Sequence, residues 1–320
     1  MAGSTFEAIV TAIDVEAETV RSYELAATGS GSLPTFSAGS HIDLHLPNGM
    51  VRSYSLVNHQ AESHRYLIGI HRDHAGRGGS QYVHDNLRVG DTVVLSQPRN
   101  NFPLREDASY SVLIGGGIGI TPLISMMRRL SELRRPYEAH YVARTRAYAP
   151  FMSWIDDLRN SAEADIRVYF DQETPGDRLD IASIVSAAAH DAHLYCCGPG
   201  PMLEAFHLAT AHRGGDFVHI ERFGSAEKAK RDTSFQIELA RSGLTLDVDQ
   251  GQSILDVLLK AGVDVAFSCE EGVCGTCEVA VLAGAPDHRD EYLTGAEREQ
   301  NKTMMICCSR SLSAKLVLDL

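Results

Sequence analysis

The chain has 320 residues, of which 44% are hydrophobic and 22% are charged. This balance fits a globular protein of two or three domains and excludes a disordered or fibrous one. The formal net charge of −13 argues against nucleic acid or an anionic membrane surface as the partner, because both attract clustered Lys and Arg.

No apolar run reaches the roughly 18 residues that a membrane span needs, and the N-terminus lacks a signal-peptide pattern. We therefore expect a cytoplasmic protein. Seven cysteines in that reducing compartment indicate metal binding or redox chemistry rather than disulfides.

Residues 1–105 are predicted to form an antiparallel β-barrel. Their polar and apolar residues alternate in short runs that Gly, Pro and Asn interrupt, and the period of two is typical of strands. The predicted strands are HIDLHL, RSYSLV, RYLIGIH and DTVVLS.

Two motifs in this segment resemble the flavin motifs of the ferredoxin–NADP reductase superfamily. The first is Arg52-Ser53-Tyr54-Ser55, in which Tyr54 offers an aromatic face, Ser55 a hydroxyl near the flavin N5 and Arg52 a cation for a phosphate. Taken alone, this stretch is an amphipathic strand.

The second motif is Gly76-Arg77-Gly78-Gly79-Ser80, about 25 residues further on. Its glycine-rich backbone, with Arg77 and Ser80, can hold a phosphate, although a flexible turn would have the same composition. The two motifs together, at family spacing, imply a flavin.

Residues 106–225 alternate strands and helices from SVLIGG to PMLEAFHLATA, which predicts an α/β domain with a parallel sheet. Gly115-Gly116-Gly117-Ile118-Gly119 and Thr121-Pro122 lie between the first strand and its helix. Glycines there let a pyrophosphate approach the helix N-terminus, although they could equally form a tight turn. The usual dinucleotide fingerprint has a third glycine where this chain has Pro122.

A second motif, Cys197-Gly198-Pro199-Gly-Pro201-Met202, follows about 80 residues later. The pair GGxGxTP and CGPxPM resembles the signature of the same superfamily and implies a nicotinamide site. Asp171, at the end of the strand DIRVYF, would repel the 2′-phosphate of NADPH and could accept from ribose hydroxyls. It therefore favours NADH, unless it is a solvated loop carboxylate.

The segment HIERFG resembles the one that places an aromatic ring over the flavin, which would be Phe223, with Glu221 as a nearby carboxylate. Both could instead be ordinary strand-end residues. Residues 226–232 are polar and without periodicity, and we interpret them as a linker.

Residues 233–320 contain Cys269, Cys274, Cys277 and Cys307, whose C-x4-C-x2-C…C spacing is the plant-type [2Fe–2S] ferredoxin pattern. A zinc site would ordinarily pair two C-x2-C knuckles, and this chain has one. Cys308 is an alternative fourth ligand. The 29 residues between Cys277 and Cys307 match plant-type ferredoxins, so we predict Cys307 and a β-grasp ferredoxin domain.

The order of flavin barrel, nicotinamide domain and C-terminal ferredoxin resembles the phthalate dioxygenase reductase and vanillate O-demethylase reductase family. That resemblance implies an NADH-dependent reductase in which electrons pass from NADH through FMN to the [2Fe–2S] cluster, and then to a separate Rieske-type oxygenase in aromatic degradation. It also places Ser55, Cys197 and Phe223 at the point of hydride transfer. The alternatives are a general NAD(P)H–ferredoxin reductase that serves other acceptors, and a redox sensor.

Overall fold

The computed structural model describes residues 5–29, 31–74, 76, 78–161, 165–173, 178–223, 233–270, 272–290 and 292–320. They belong to two units, Gly3–Phe223 and Gly224–Leu320. The predicted linker, residues 226–232, and Arg77 of the second flavin motif lie outside the described residues.

An antiparallel six-stranded sheet begins the larger unit. Its strands are β1 (Thr5–Ala17), β2 (Val20–Ala27), β3 (His41–His45), β4 (Val51–Ser55), β5 (Arg65–His71) and β6 (Thr92–Ser96), in the order β4-β3-β6-β1-β2-β5. The two edge strands approach each other because Leu56, just after β4, pairs with Ile68 of β5. Alternate side chains such as Tyr23, Leu25, Ile42 and Leu44 fill the interior. This closed sheet is the predicted barrel.

A short helix, α1 (Gly79–Asn86), follows the barrel's fifth strand. It starts after Gly78, whose φ of 82° lies in the left-handed region that glycine tolerates. Val83 and His84 anchor the helix in the barrel, and the imidazole of His84 hydrogen-bonds to the carbonyl of Ile70 at 2.9 Å. The helix is thereby fixed against the sheet.

A parallel five-stranded sheet completes the larger unit. Its strands are β7 (Ser111–Gly116), β8 (Tyr137–Ala143), β9 (Asp165–Phe170), β10 (His193–Gly198) and β11 (Val218–Arg222), in the order β11-β10-β7-β8-β9. Its helices are α2 (Ile120–Glu132), α3 (Met152–Ser161), α4 (Ile181–Ala187) and α5 (Gly200–Thr210). The strand order reverses between β7 and β10, so the crevice at their carboxyl ends is where such a sheet binds ligands.

The smaller unit is a β-grasp fold. Its strands are β12 (Phe235–Leu239), β13 (Thr245–Val248), β14 (Glu278–Ala283), β15 (Pro286–Asp287), β16 (Thr303–Met305), β17 (Arg310–Ser311) and β18 (Lys315–Leu318). The main sheet has the order β13-β12-β18-β14-β16, and β15 pairs with β17. Helix α6 (Ile254–Lys260) buries Ile254, Leu255 and Leu258 in the core, and α7 (Gly295–Gln300) is more exposed.

None of the helices in these described ranges is long and apolar enough to cross a membrane.

Candidate functional site

The two nicotinamide motifs contact each other at the carboxyl ends of β7 and β10. A Cβ atom on Gly119 would lie 2.3 Å from the carbonyl oxygen of Cys197, and one on Gly116 would lie 2.7 Å from Pro199. Glycine is therefore required at both positions. The hydroxyl of Thr121 donates to the carbonyl of Ile118 at 2.9 Å and closes the loop.

This loop leads directly into helix α2, whose N-terminus is not capped by any side chain in the part of the chain that the structure describes. Gly117 has a φ of 54°, which turns the chain between strand and helix. Backbone N–H groups at such a helix start bind a pyrophosphate well, because they are unsatisfied and the helix dipole favours an anion. The arrangement fits a dinucleotide.

Cys197 and Glu221 are neighbours in this crevice, paired across β10 and β11. Burial raises the pKa of the Cys197 thiol well above its ordinary value, and Glu221 adds to the effect. Burial also raises the pKa of Glu221 to about 8, and its Oε2 has no hydrogen-bond partner within the described residues. Near neutral pH both groups are therefore mainly uncharged. The sequence pattern alone could not reveal this shift.

Phe223 follows β11 directly, and 40% of its surface is exposed. An aromatic ring exposed at the end of a strand beside a cofactor crevice can lie on a planar ligand. This placement agrees with the predicted role of Phe223 and leaves that role a prediction.

The two flavin motifs converge on the N-terminus of α1. A Cβ atom on Gly79 would lie 2.4 Å from Nε of Arg52, so the guanidinium packs directly on the first residue of the helix. The first turn of α1 contains no acidic residue, and no described side chain caps it. A buried arginine and unsatisfied helix N–H groups together form a phosphate site, so the cradle fits the phosphate of FMN.

The other described residues of the second motif lie just before this helix or in its first turn. Gly76 packs against the carboxylate of Asp73, Gly78 makes the left-handed turn, and the hydroxyl of Ser80 accepts from the backbone N–H of Asp73 at 3.1 Å. The sequence predicted a phosphate loop here. It did not predict the helix, and the helix is what brings the loop to Arg52.

The first motif divides between the two faces of β4, since successive side chains point in opposite directions. Arg52 and Tyr54 share one face. Ser53 lies on the other, where its hydroxyl donates to Asp43 at 2.7 Å, and Ser55 is buried at the strand end. Because the Ser53 hydroxyl is already bound to Asp43, Ser53 can contact a cofactor best through its backbone N–H or C=O group.

Asp171 lies at the carboxyl end of β9, where its backbone N–H donates to the carbonyl of Ala143. The neighbouring loop after β8 holds Arg144 and Arg146, and the Arg146 guanidinium lies 5.3 Å from the ring centre of Phe170. Sequence reasoning missed these arginines. The signal was available, because ARTRAY follows a buried strand at the same sheet edge.

The four predicted cluster ligands form two pairs. A hydrogen bond with Cys269 lowers the pKa of the Cys274 thiol to about 4, and one with Cys307 raises the pKa of Cys277. No group of three or more His, Cys, Asp or Glu side chains converges on a single ion in the described ranges. Two thiols for each of two irons is the arrangement of a [2Fe–2S] cluster, so the donor set fits that cluster.

Glycines shape the cluster loop. Gly272 and Gly275 both have a φ of 74°, and a Cβ atom on Gly275 would lie 2.3 Å from the ring of Tyr292. A Cβ atom on Gly272 would lie 2.4 Å from Sγ of Cys308. Cys308 is thus packed beneath the loop, whereas Cys307 is paired with Cys277, which supports Cys307 as the fourth ligand.

Comparison with known proteins gives consistent findings. A family model described as a 2Fe-2S iron-sulfur cluster binding domain matches residues 237–312. The chain is 47% identical over 309 residues to the phenoxybenzoate dioxygenase subunit beta of Ectopseudomonas oleovorans, which covers 97% of this chain and 95% of that protein. It is 45% identical over 319 residues to the tetrachlorobenzoquinone reductase of Sphingobium chlorophenolicum, covering 99% and 98%.

Among solved structures, the fold is similar to that of phthalate dioxygenase reductase. The TM-score is 0.83 at 36% sequence identity, and the match covers 99% of this chain and 98% of the other. That structure is described as modular, for electron transfer from pyridine nucleotides to [2Fe-2S].

Proposed function

Because the chain belongs to the phthalate dioxygenase reductase and vanillate O-demethylase reductase family, we propose that it is the NADH-dependent reductase of a two-component Rieske-type oxygenase system. It is an oxidoreductase that uses FMN, NADH and a [2Fe–2S] cluster, and an oxygenase is its partner. The Rieske type of that oxygenase is the finer part of the proposal.

One observation supports this function above the others. The Arg52–α1 cradle and the crevice at Gly116–Gly119 and Cys197 belong to one unit, and the same chain supplies two thiol pairs. When bound, the flavin supplies the conversion between the two-electron chemistry of NADH and the one-electron chemistry of the cluster.

The chain's own residues bind and orient. Arg52 and the α1 N-terminus hold a phosphate, and the loop that Thr121 closes, with Gly198 and Pro199, holds the nucleotide. Tyr54, Ser55 and Phe223 are the proposed neighbours of the flavin ring. No general acid, base or nucleophile is required, because the cofactors carry the redox chemistry.

Cys197 and Glu221 favour their uncharged forms near neutral pH, since burial raises the pKa of both. A neutral thiol and a protonated carboxyl present no fixed negative charge to an incoming dinucleotide. We propose that this neutrality is their contribution to binding.

The division into barrel, α/β domain, linker and ferredoxin at residues 105, 225 and 232 remains part of the proposal, as does the cytoplasmic location. Limited proteolysis with mass spectrometry would test the first, and cell fractionation the second. Cleavage within residues 226–232 is the expected result, and cleavage only elsewhere would contradict that boundary.

The cofactor content is the first test. We expect the purified protein to contain one FMN and two irons per chain, because its described residues form one phosphate cradle and two thiol pairs. Heat-released flavin that chromatographs as FAD would contradict the FMN assignment.

The partner is the second test. NADH is added to the reductase and a candidate Rieske oxygenase without oxygen, and reduction of the Rieske centre is followed by electron paramagnetic resonance. We expect the Rieske centre to be reduced within the time of one catalytic turnover of the oxygenase. Reduction of small-molecule acceptors without reduction of any oxygenase encoded beside this gene would overturn the proposal.

A second function follows from the similarity to the tetrachlorobenzoquinone reductase. We propose direct reduction of halogenated quinones as the alternative. It is favoured if NADH–quinone turnover greatly exceeds NADH–oxygenase turnover at equal acceptor concentrations, and it is rejected if quinone turnover is the slower of the two.

A further inference from the structure

Phe151 has a backbone conformation that phenylalanine rarely adopts. Its φ is 59°, in the left-handed region where a side chain crowds the backbone. The side chain is fully buried. Such a conformation persists only where the surrounding structure holds it in place, and it often marks a functional position.

Contacts on the nucleotide side fix Phe151. The hydroxyl of Tyr141 donates to the carbonyl of Pro150 at 3.2 Å, and the backbone N–H of Ile155 donates to the carbonyl of Phe151 at 3.1 Å. Trp154 packs edge-on against the Phe151 ring, with 6.2 Å between ring centres.

Trp154 in turn connects to the barrel. The guanidinium of Arg128 lies 4.1 Å from the indole centre, and Nη1 of Arg128 lies 3.6 Å from Oε1 of Glu62, in the loop between β4 and β5. A series of contacts through Trp154 and Arg128 therefore connects Phe151 to the barrel loop that contains Glu62.

The ring of Phe151 points at Gly69 of β5. A Cβ atom on Gly69 would lie 2.7 Å from Cε2 of Phe151 and 3.0 Å from Cγ2 of Thr121. The absence of a side chain at Gly69 thus makes room for both the ring and the threonine methyl. Three segments meet there: a barrel strand, the residue just before α3, and the first turn of α2, whose Thr121 closes the nicotinamide loop.

The position of Gly69 relates this contact to both cofactor sites. Gly69 follows Ile68, which pairs with Leu56 directly after Ser55, the residue proposed to lie at the flavin N5. Thr121 closes the nicotinamide loop. The Phe151 ring therefore lies at the junction between the strand end of the flavin site and the loop of the nicotinamide site.

We propose that Phe151 is a positioning residue that sets the separation between the flavin-binding strand end and the nicotinamide loop. This inference rests on the proposed function. Phe151 touches neither reacting partner, and its effect passes through Gly69 and Thr121. A small error in the distance between reacting groups lowers a transfer rate steeply while leaving binding contacts largely intact.

The test uses the flavin-loaded protein and stopped-flow reduction by NADH without oxygen. In Phe151→Leu we expect the limiting rate of flavin reduction to fall on the order of 10- to 100-fold, with the apparent Kd for NADH within about threefold. The long-wavelength absorbance of a nicotinamide stacked on the flavin should weaken in parallel. Gly69→Ala should shift the same quantities in the same direction, and it remains a test if Phe151→Leu does not fold.

Ile155→Ala is the matched control, because Ile155 is fully buried one turn later in the same core and is not among the nearest neighbours of Gly69. It should lower the melting temperature and leave the limiting rate and the absorbance unchanged. The proposal would be overturned if Phe151→Leu or Gly69→Ala kept the wild-type limiting rate of flavin reduction. It would also be overturned if Ile155→Ala lowered that rate as much as Phe151→Leu does. A wild-type protein that NADH does not reduce would instead overturn the proposed function.

Discussion

In the larger unit the proposed cofactor residues lie at the ends of strands and helices, whereas in the smaller unit three of the four predicted cluster ligands lie in the irregular segment between α6 and β14. Arg52 and Gly79, or Gly119 and Cys197, are held together by the packing of regular elements. The thiols are held by a loop that turns through two glycines. The first site is thus preorganised by the fold, while the second depends more on its ligand, because metal binding and local folding are coupled.

Loss of a cluster ligand should have the largest effect and separates the two regions most sharply. In Cys307→Ser we expect the iron content to fall from two per chain to nearly none, because a binuclear cluster lacks its fourth thiolate. Flavin reduction by NADH should persist, since that site is built separately. Iron assay and visible absorbance measure the cluster content, and stopped-flow spectroscopy measures the rate of flavin reduction by NADH.

Cys308→Ser is the control for this prediction, because Cys308 packs beneath Gly272 and is not paired with Cys277 in the way that Cys307 is. Its spectrum should match that of the wild type. The opposite result, with Cys308→Ser losing the cluster, would move the fourth ligand by one position.

Removal of Arg52 tests whether the flavin site is preorganised by the packing of its guanidinium on Gly79, the first residue of α1. A hydrogen bond to a charged group contributes about 1.5–3 kcal/mol, so Arg52→Ala should weaken FMN binding roughly 10- to 100-fold. Fluorescence titration of the flavin-depleted protein measures the Kd. Arg21→Ala, whose guanidinium donates to His84 near the other end of α1, should keep the wild-type affinity. If Arg52→Ala and Arg21→Ala lost FMN affinity equally, the stability of α1 would explain the loss rather than the contact of Arg52 with the phosphate.

The preference for NADH over NADPH should change by a similar factor when Asp171 is replaced. Asp171→Ser should reduce the preference for NADH over NADPH roughly 10- to 100-fold, because a repelling carboxylate is removed while Arg144 and Arg146 remain at the same edge. The measurement is kcat/KM for both nucleotides. Asp165→Ser, at the opposite end of β9, should leave the ratio unchanged. An unchanged ratio in Asp171→Ser would show that Asp171 is only a solvated carboxylate.

Mild acid should affect the larger unit through His219. Burial and the neighbouring His193, 2.9 Å away, lower the pKa of His219 to about 4, so the folded protein favours the neutral ring. The resulting stability is fully present above the ordinary pKa of about 6.5 and is lost as the pH falls towards 4. Allowing for the partial exposure of His219, we expect the free energy of unfolding to fall by about 1–2 kcal/mol between pH 7.5 and pH 5.

Urea unfolding at pH 7.5 and pH 5 measures this loss. The sole tryptophan, Trp154, reports the larger unit alone. His219→Gln should flatten the dependence on pH, and an unchanged slope in this variant would assign the effect to other groups.

The regular elements followed closely from the sequence, because hydrophobic periodicity determines them. RYLIGIH, SVLIGG and DIRVYF coincide with β5, β7 and β9. Helix α1 was missed, since Gly79-Ser80-Gln81 is a poor helix start by propensity, and the helix is stabilised by packing of Val83 and His84 in the barrel.

The [2Fe–2S] cluster followed from its ligand spacing, and the flavin and nicotinamide sites followed from short motifs that resemble those of the family, because such patterns are short-range properties. FMN as the flavin was implied by the family resemblance. Contacts between distant segments were not predictable in this way. The packing of Arg52 on Gly79 depends on where α1 docks, and the raised pKa of Glu221 depends on burial by other strands. The conformation of Phe151 opposes its intrinsic preference, so it is determined by tertiary structure alone.

The contact between Gly69 and Phe151 constrains how such a chain can change. The ring occupies the space that a side chain at position 69 would need, so the two positions share one volume although they lie far apart in the sequence. A larger residue at one is tolerated only with a smaller residue at the other. Relatives that have lost the glycine should therefore also have lost the phenylalanine, and mutant libraries should recover the two changes together, because residues in contact couple.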